Sequence, residues 1–435
     1  MYNYIDGLLS MRKGKFSKSI FSWCLYDWAN SAYVTVIVTF VFAAYFTKAI
    51  APDEIIGTAL WGNAMAISAI IVAVLAPFIG AIADQLGQRK PWLFFFTSLS
   101  IIATGLLWYA LPNETHIEWA LGCVILATIG FEFGMVFYNA MLPDIVKPER
   151  IGRISGWAWG LGFYGGLVSL VICLIGFVQT DTPWFGLTTE QSENIRAIPI
   201  LIAIWFAVFS IPLFLFTPDK PAASIGIITA VRKGGKNLIN TFRKAKEYRH
   251  ILKYLFARMI YTDGLNTLFA FGGIYAAGTF GMELNEVIQF GIALNVTAGL
   301  GAFAFAWMDD RRGSKSVIVI SLVALIMLGS AMLVVEDKTQ FWIVGLGLGI
   351  FIGPVQAASR TLMARITPEN MRAEFFGLYA LSGKATAFLG PLILGAVTLA
   401  FDSQRIGMAT IIIFFIIGLV LLIPLKLEAK STPPT

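Results

Sequence analysis

The sequence predicts an all-α membrane protein of twelve spanning helices arranged as two related halves. Three observations carry that expectation. The composition is apolar and poor in charge, twelve apolar runs of spanning length follow one another, and three markers recur in the same order in each half. Of 435 residues, 57% are hydrophobic and 13% are charged, with mean hydropathy +0.75. A water-soluble domain carries about 25% charged residues.

A helix needs about 20 mostly apolar residues to cross a bilayer. Runs of that kind fall at 20–48, 58–82, 92–111, 118–141, 154–178, 197–217, 251–279, 285–308, 316–335, 340–364, 374–400 and 405–425, hereafter spans one to twelve. The basic stretch MRKGKFSKS leads into a first run too long for a signal-peptide core, so that run is expected to stay as span one. Lysine and arginine in the breaks set the orientation. With the N-terminus inside, 25 of the 32 basic residues fall in inner segments, whereas the outer breaks hold only Lys48, Arg196, Lys338 and Arg405. Both termini are therefore expected in the cytoplasm. With no organelle-targeting extension evident, a bacterial inner membrane is the expected location. Trp61, Trp92, Trp108, Trp119, Trp307 and Trp342 fall near run ends, as an interfacial belt would.

The break at 218–250 is the longest and divides six runs from six. The expected organisation is a first bundle at 1–217, a basic cytoplasmic linker at 218–250 and a second bundle at 251–435. Within the linker, KNLINTFRKAKEYRH sets Leu238, Ile239 and Phe242 among cations, as an amphipathic helix on an anionic leaflet would.

The halves resemble each other. YDWANSAY at 26–33 and TDGLNTLF at 262–269 each set an acid, a carboxamide and a hydroxyl at i, i+3 and i+4: Asp27, Asn30, Ser31 and Asp263, Asn266, Thr267. On a helix each trio shares one face. GAIADQLGQRKP after span two matches AWMDDRRGSKS after span eight, with Asp84 on Asp310, Gly87 on Gly313 and Arg89 on Lys315. KPERIGRISG after span four matches TPENMRAEFFG after span ten. Three ordered markers indicate duplication, the parallel repeat of a two-half transporter.

Charges inside the spans carry the functional argument. Asp27, Glu132, Arg258, Asp263, Arg360 and Lys384 all lie well within apolar runs. Each would cost about 2.5–3.5 kcal/mol at the centre of a lipid-facing helix, so pairing or a wet path is expected. Both signs together suit a zwitterion such as an amino acid or small peptide, whereas a sugar needs hydroxyl partners and stacking aromatics. Asp27 is the leading candidate to carry a proton and Glu132 the second; Asn30 and Asn266 would orient ligand or acids. Arg360 and Lys384 would meet a substrate carboxylate, with Gln356 one turn before Arg360. Tyr26, Tyr138 and Asn139 could complete the site, or could simply bond helix to helix. Ion pairs that only lock the bundle are the alternative for the charges.

Other chemistries lack their residues. The net charge of +6 sits in short breaks, which argues against nucleic acid. Cys24, Cys123 and Cys173 are scattered in apolar runs at no metal-ligand spacing, and His116 and His250 fall in breaks. No Walker loop and no catalytic constellation are present. No cofactor, metal or enzymatic activity is therefore expected, and the expected partners are a small-molecule substrate, the lipid bilayer and protons, with the chain acting as a monomer. A channel, a lipid scramblase, a sensor, or a carrier of sugars, nucleosides or drugs are the alternatives.

GAIADQLGQRKP resembles the loop signature of the major facilitator superfamily, and its copy at 306–316 lies where that family repeats it. YDWANSAYVTVIVTF, FYNAMLPDIVKPERIGRISGWAWG, GPVQAASRTLMARITPE and EFFGLYALSGKATAFLGP resemble the branch related to the fungal vacuolar amino-acid effluxers of autophagy. The resemblance implies two six-helix bundles around a central cavity lined by spans one, four, seven and ten, with Asp27 and Asp263 facing it as symmetry mates. It also implies a gate at the inner face, formed by Asp84, Gly87, Arg89, Arg153, Asp310 and Gly313. Many proton-coupled members place an arginine early in the fourth helix; span four here has Glu132 and no arginine.

Overall fold

The computed structural model describes residues 18–180, 182–243 and 247–426. The basic residues at 11–17, with Lys244, Lys246 and Lys430, lie outside the described residues. Every regular element among those described is helical. Eleven helices are long and apolar enough to cross a membrane: Lys18–Ile50, Glu54–Leu86, Lys90–Tyr109, Glu114–Ile145, Pro148–Val178, Glu190–Phe216, Glu286–Arg312, Ser314–Val334, Lys338–Ile366, Glu369–Phe401 and Gln404–Leu422. The twelfth, Arg249–Phe280, is span seven. Its apolar character is diluted by Lys253, Arg258, Thr262, Asp263 and Asn266, so length rather than hydropathy identifies it.

Local chemistry sets several ends. Asp53, Asp337 and Ser403 each accept a backbone N–H at the start of spans two, ten and twelve. Gly87 and Gly313 end spans two and eight with the same φ of +82°, a conformation that L side chains rarely adopt. That shared angle is the duplicated loop marker expressed in the backbone.

Among the described residues, the halves approach closely along two helix pairs, spans two and eleven and spans five and eight. Spans two and eleven touch through Gly80 against Ala373 O and Gly377 against Ala76 O. Spans five and eight touch through Gly156 against Ala306 and Gly160 against the Phe303 ring. Missing Cβ atoms let the backbones approach closely. Gly345, Gly349 and Gly353 of span ten serve the same purpose against span eight, and Lys338–Ile366 stays helical through Pro354.

Each described end of the chain is tied to the end of another span. Thr217 donates to Ser19 O at 3.3 Å, and Lys315 Nζ donates to Ile423 O and Leu425 O. Asp219 accepts from the backbone N–H groups of Arg89 and Lys90, capping span three. A helix follows at Ile227–Arg243, with Gly234 packed on Ala81 and Ile82 of span two. Leu238, expected among the lipid-facing residues, is buried against the protein. Phe242 lies outside the described side chains; among those described, the exposed apolar residues are Ile228, Val231 and Ile239, beside exposed Arg232, Lys233 and Lys236.

Candidate functional site

The expected face of span one lands on a packed junction. Trp23 stacks on Tyr138 of span four at 4.4 Å between centroids, and each donates to the other's carbonyl at 3.1 Å. Tyr26 stacks on Tyr138 and shares a hydrogen bond with Thr97 at 2.7 Å. These aromatics bind helix to helix, the second of the two roles left open for Tyr26 and Tyr138.

Beside that stack, Arg360 of span ten is fully buried. Its Nη1 donates to Asp27 Oδ2 at 2.9 Å and more distantly to Asn139 Oδ1 at 3.5 Å. Nε donates to Ser155 Oγ at 2.9 Å and Nη2 to Ser155 O at 2.7 Å. The rings of Trp23 and Trp159 lie 5.0 and 4.8 Å from the guanidinium. Trp159 Nε1 donates to Gln356 Oε1 at 3.0 Å. Asp27, Asn139, Gln356 and Arg360 are thus one cluster, reached from spans one, four, five and ten. Ser155 and Trp159 were not anticipated; the stretch GWAWG in an apolar span was their only signal.

A second pair crosses the halves. Lys384 Nζ lies 2.7 Å from Glu132 Oε1, and both side chains remain partly accessible, at 33% and 18%. Arg360 and Lys384, expected to meet a substrate carboxylate, therefore already hold protein carboxylates in this conformation. Both acids come from the first half and both bases from the second.

The remaining candidates do not join these pairs. Asn30 is buried and donates to Met135 Sδ at 3.5 Å. Asp263 and Thr267 are buried against span eleven, where a Cβ on Gly390 would overlap Thr267 Oγ1. The matching contact in the first half is Gly162 against Ser31 Oγ. Asn266 is exposed, so the second trio does not act as one buried face. Arg258 donates to Tyr379 O at 2.7 Å and Ser382 Oγ at 2.6 Å, over the Tyr379 ring. The expectation that Asp27 and Asp263 face water is corrected: they are 4% and 2% exposed. Close packing on spans five and eleven covers both.

At the linker end the duplicated loops meet crosswise. Asp84 accepts from the backbone N–H groups of Ala373 and Glu374, at 3.1 and 2.8 Å, at the start of span eleven. Asp310 accepts from those of Gly152 and Arg153, at 2.9 and 3.2 Å, at the start of span five. Each acid therefore caps a helix of the opposite half, where the helix dipole favours negative charge. Arg153 Nε lies 3.5 Å from Asp310, and Arg365 lies 2.8 Å from Asp309. Arg89 and Arg372, one from each half, both pair with Asp144. Lys220 of the linker lies 3.5 Å from Asp144 and 3.7 Å from Glu369. Burial presses the Arg89 guanidinium below its ordinary pKa, and the Asp84 charge opposes that shift. Asp144, Asp309, Arg365 and Arg372 were not among the expected gate residues. Lys315, aligned with Arg89, turns instead to the carbonyls after span twelve.

Comparison with known proteins agrees with this architecture. The family described as "Vacuole effluxer Atg22 like" matches residues 54–432. The MFS-type transporter YxiO of Bacillus subtilis (strain 168) is 27% identical, over 94% of this chain and 95% of its own length. Autophagy-related protein 22 of Coccidioides immitis (strain RS) is 21% identical over 76% of this chain. The match spans 66% of that longer fungal protein. Among solved structures, the E. coli fucose:proton symporter FucP, in its outward conformation, superposes with a TM-score of 0.74 over 94% of this chain and 98% of its own. At 12% identity that likeness concerns the fold alone.

Proposed function

The chain belongs to the Atg22-like vacuole effluxer family and is a major facilitator transporter; from that premise we propose that it carries a small zwitterion, an amino acid or a compound of that kind, by alternating access. The observation that carries the reading is the shared polarity of the two central ion pairs. Asp27 and Glu132 stand on the first half, Arg360 and Lys384 on the second. A zwitterion can enter such a junction with its ammonium toward the acids and its carboxylate toward the bases. Every charge then keeps a partner, whereas a neutral sugar that separated a pair would leave two charges buried and unmatched. The partly accessible Glu132–Lys384 pair is the point of entry, and the buried Asp27–Arg360 pair is the junction that must rearrange.

The crosswise capping by Asp84 and Asp310 supports alternation, because it closes the linker end with contacts that can break as the halves rock. A channel needs no such gate. The bias of lysine and arginine to the linker side supports a reading in which that end faces the cytoplasm; we take the membrane to be a bacterial inner membrane and the working unit to be a monomer whose two halves complete the route. A proton drive would act through Asp27: protonation removes the charge that holds Arg360 and loosens the junction.

The test is a thermal-shift screen of amino acids, sugars and nucleosides on purified protein, followed by counterflow in proteoliposomes. Amino acids should raise the melting temperature and show saturable, counter-stimulated exchange. Stabilisation by sugars alone would overturn the substrate class, and non-saturating conductance would overturn the carrier.

A further inference from the structure

At the linker end of the second half, spans seven and twelve leave a groove between them. Its volume is about 520 Å³, and Arg249, Leu252, Lys253 and Phe256 of span seven line it together with Val420 and Leu425 at the end of span twelve. The four span-seven residues stand at i, i+3, i+4 and i+7, so they form one face of the helix Arg249–Phe280. Lys315 Nζ holds the end of span twelve through Ile423 O and Leu425 O, at 2.6 and 2.8 Å, which fixes the facing wall.

The groove carries charge of one sign. Arg249 and Lys253 are exposed, and neither side chain pairs with another described residue. No acid is among the lining residues; Glu247, the nearest acid along the chain, stands outside them. The first turn of span seven holds no acid either, and the positive end of its dipole adds to the cations rather than offsetting them. One turn further into the span the lining is apolar and open: Phe256 is 52% and Val420 61% exposed. Cations at the helix end and bare apolar side chains deeper in the span follow the order of a membrane lipid, phosphate outermost and acyl chains within.

We propose that this groove binds an anionic phospholipid, with its phosphate at Arg249 and Lys253 and an acyl chain along Phe256 and Val420. Basic pockets between spanning helices suit such headgroups. An acidic protein segment would match the cations but not the open apolar stretch of two spanning helices. None of the lining residues belongs to the two central ion pairs, so the site stands apart from the zwitterion reading. Arg232, Lys233 and Lys236 of the linker helix are exposed as well, and they supply the control for general attraction to negative lipid.

The experiment titrates the purified protein, in neutral detergent, with phosphatidylglycerol and reads the melting temperature. Phosphatidylcholine with the same acyl chains and free glycerol phosphate are the other arms. A saturable rise with phosphatidylglycerol is expected, with no comparable rise in the other two. Arg249→Gln and Lys253→Gln should each weaken the apparent affinity roughly fivefold, the scale of one basic residue at an anionic surface, and together they should remove the saturable response. Both side chains are exposed, so these variants leave the core intact. Arg232→Gln combined with Lys236→Gln should leave the response unchanged. Equal responses to the two lipids would overturn the proposal, as would a glycerol phosphate response equal to that of the lipid. Survival of the response in the Arg249→Gln, Lys253→Gln double variant, or its loss in the linker variant, would overturn it too. The titration of the unaltered protein is decisive whatever the variants do.

Discussion

Arg360 Nη1 lies 2.9 Å from Asp27 Oδ2 and joins span ten of the second half to span one of the first through a fully buried ion pair. Ser155 and the Trp23 and Trp159 rings complete its surroundings, so the guanidinium is held on every side by the first half. Such a pair is a weak source of net stability but is costly to break one-sidedly.

Asp27→Asn should therefore destabilise the protein by roughly 3–5 kcal/mol, because it leaves a buried cation with neutral partners only. Combining Asp27→Leu with Arg360→Met should recover most of that loss while leaving uptake abolished. Thermal unfolding of the two variants beside the parent, with uptake in proteoliposomes, checks both halves of the statement. If Asp27→Asn melts with the parent and still takes up solute in response to a pH gradient, neither the junction nor the proton role stands.

Glu132→Gln should behave differently. Its pair with Lys384 is partly accessible, so the loss of stability should be about 0–1 kcal/mol. Uptake should nevertheless fall by roughly tenfold or more, the scale of one lost contact to a charged group. Exchanging the pair, Glu132→Lys with Lys384→Glu, should restore melting but not uptake, since it reverses the polarity offered to a zwitterion. Full uptake by the exchanged protein would argue that the pair is only structural.

Asp84→Asn and Asp310→Asn should act in the same direction because the two acids occupy matching positions. Each removes a charged cap worth about 1 kcal/mol, an approximately fivefold shift toward opening at the linker end. The labelling rate of Ala306→Cys, a position buried where spans five and eight cross, measures that opening from the linker side. A rise in only one of the two variants would contradict the duplicated gate.

Gly390→Ala should destabilise by about 1–3 kcal/mol through overpacking against Thr267. Adding Thr267→Ala should relieve it. Gly162→Ala, which would press on Ser31 Oγ at 2.7 Å, should follow the same pattern with Ser31→Ala. Chemical or thermal denaturation reads both cycles, and additive effects within either pair would deny the contact.

Much of the architecture was legible before any coordinates. Apolar composition and length located the spans to within a few residues, because a bilayer requires long apolar helices whatever they pack against. Gly87 and Gly313 were readable as turn positions, and they share one positive φ. Asp84 and Asp310 were readable as matching acids at helix ends. The candidates Asp27, Asn139, Gln356 and Arg360 do form one cluster, although the partner that each would choose was not readable. Asp144, Arg365 and Arg372 escaped notice because they sit among ordinary basic breaks, where a charge gives no sign of its distant partner.

Apolar run length, charge bias and internal repetition are legible along the chain itself, so the membrane class, the twelve helices and the two related halves followed from the residues alone. Which charge meets which is a matter of residues far apart in sequence, Asp27 and Arg360 being 333 positions apart. That choice depends on helix rotation and on how closely the backbones approach. The folded arrangement therefore settled that Asp27 meets an arginine while Asp263, among the described residues, meets none, that Asn266 is turned away from its trio, and that span eleven breaks between Lys384 and Leu389.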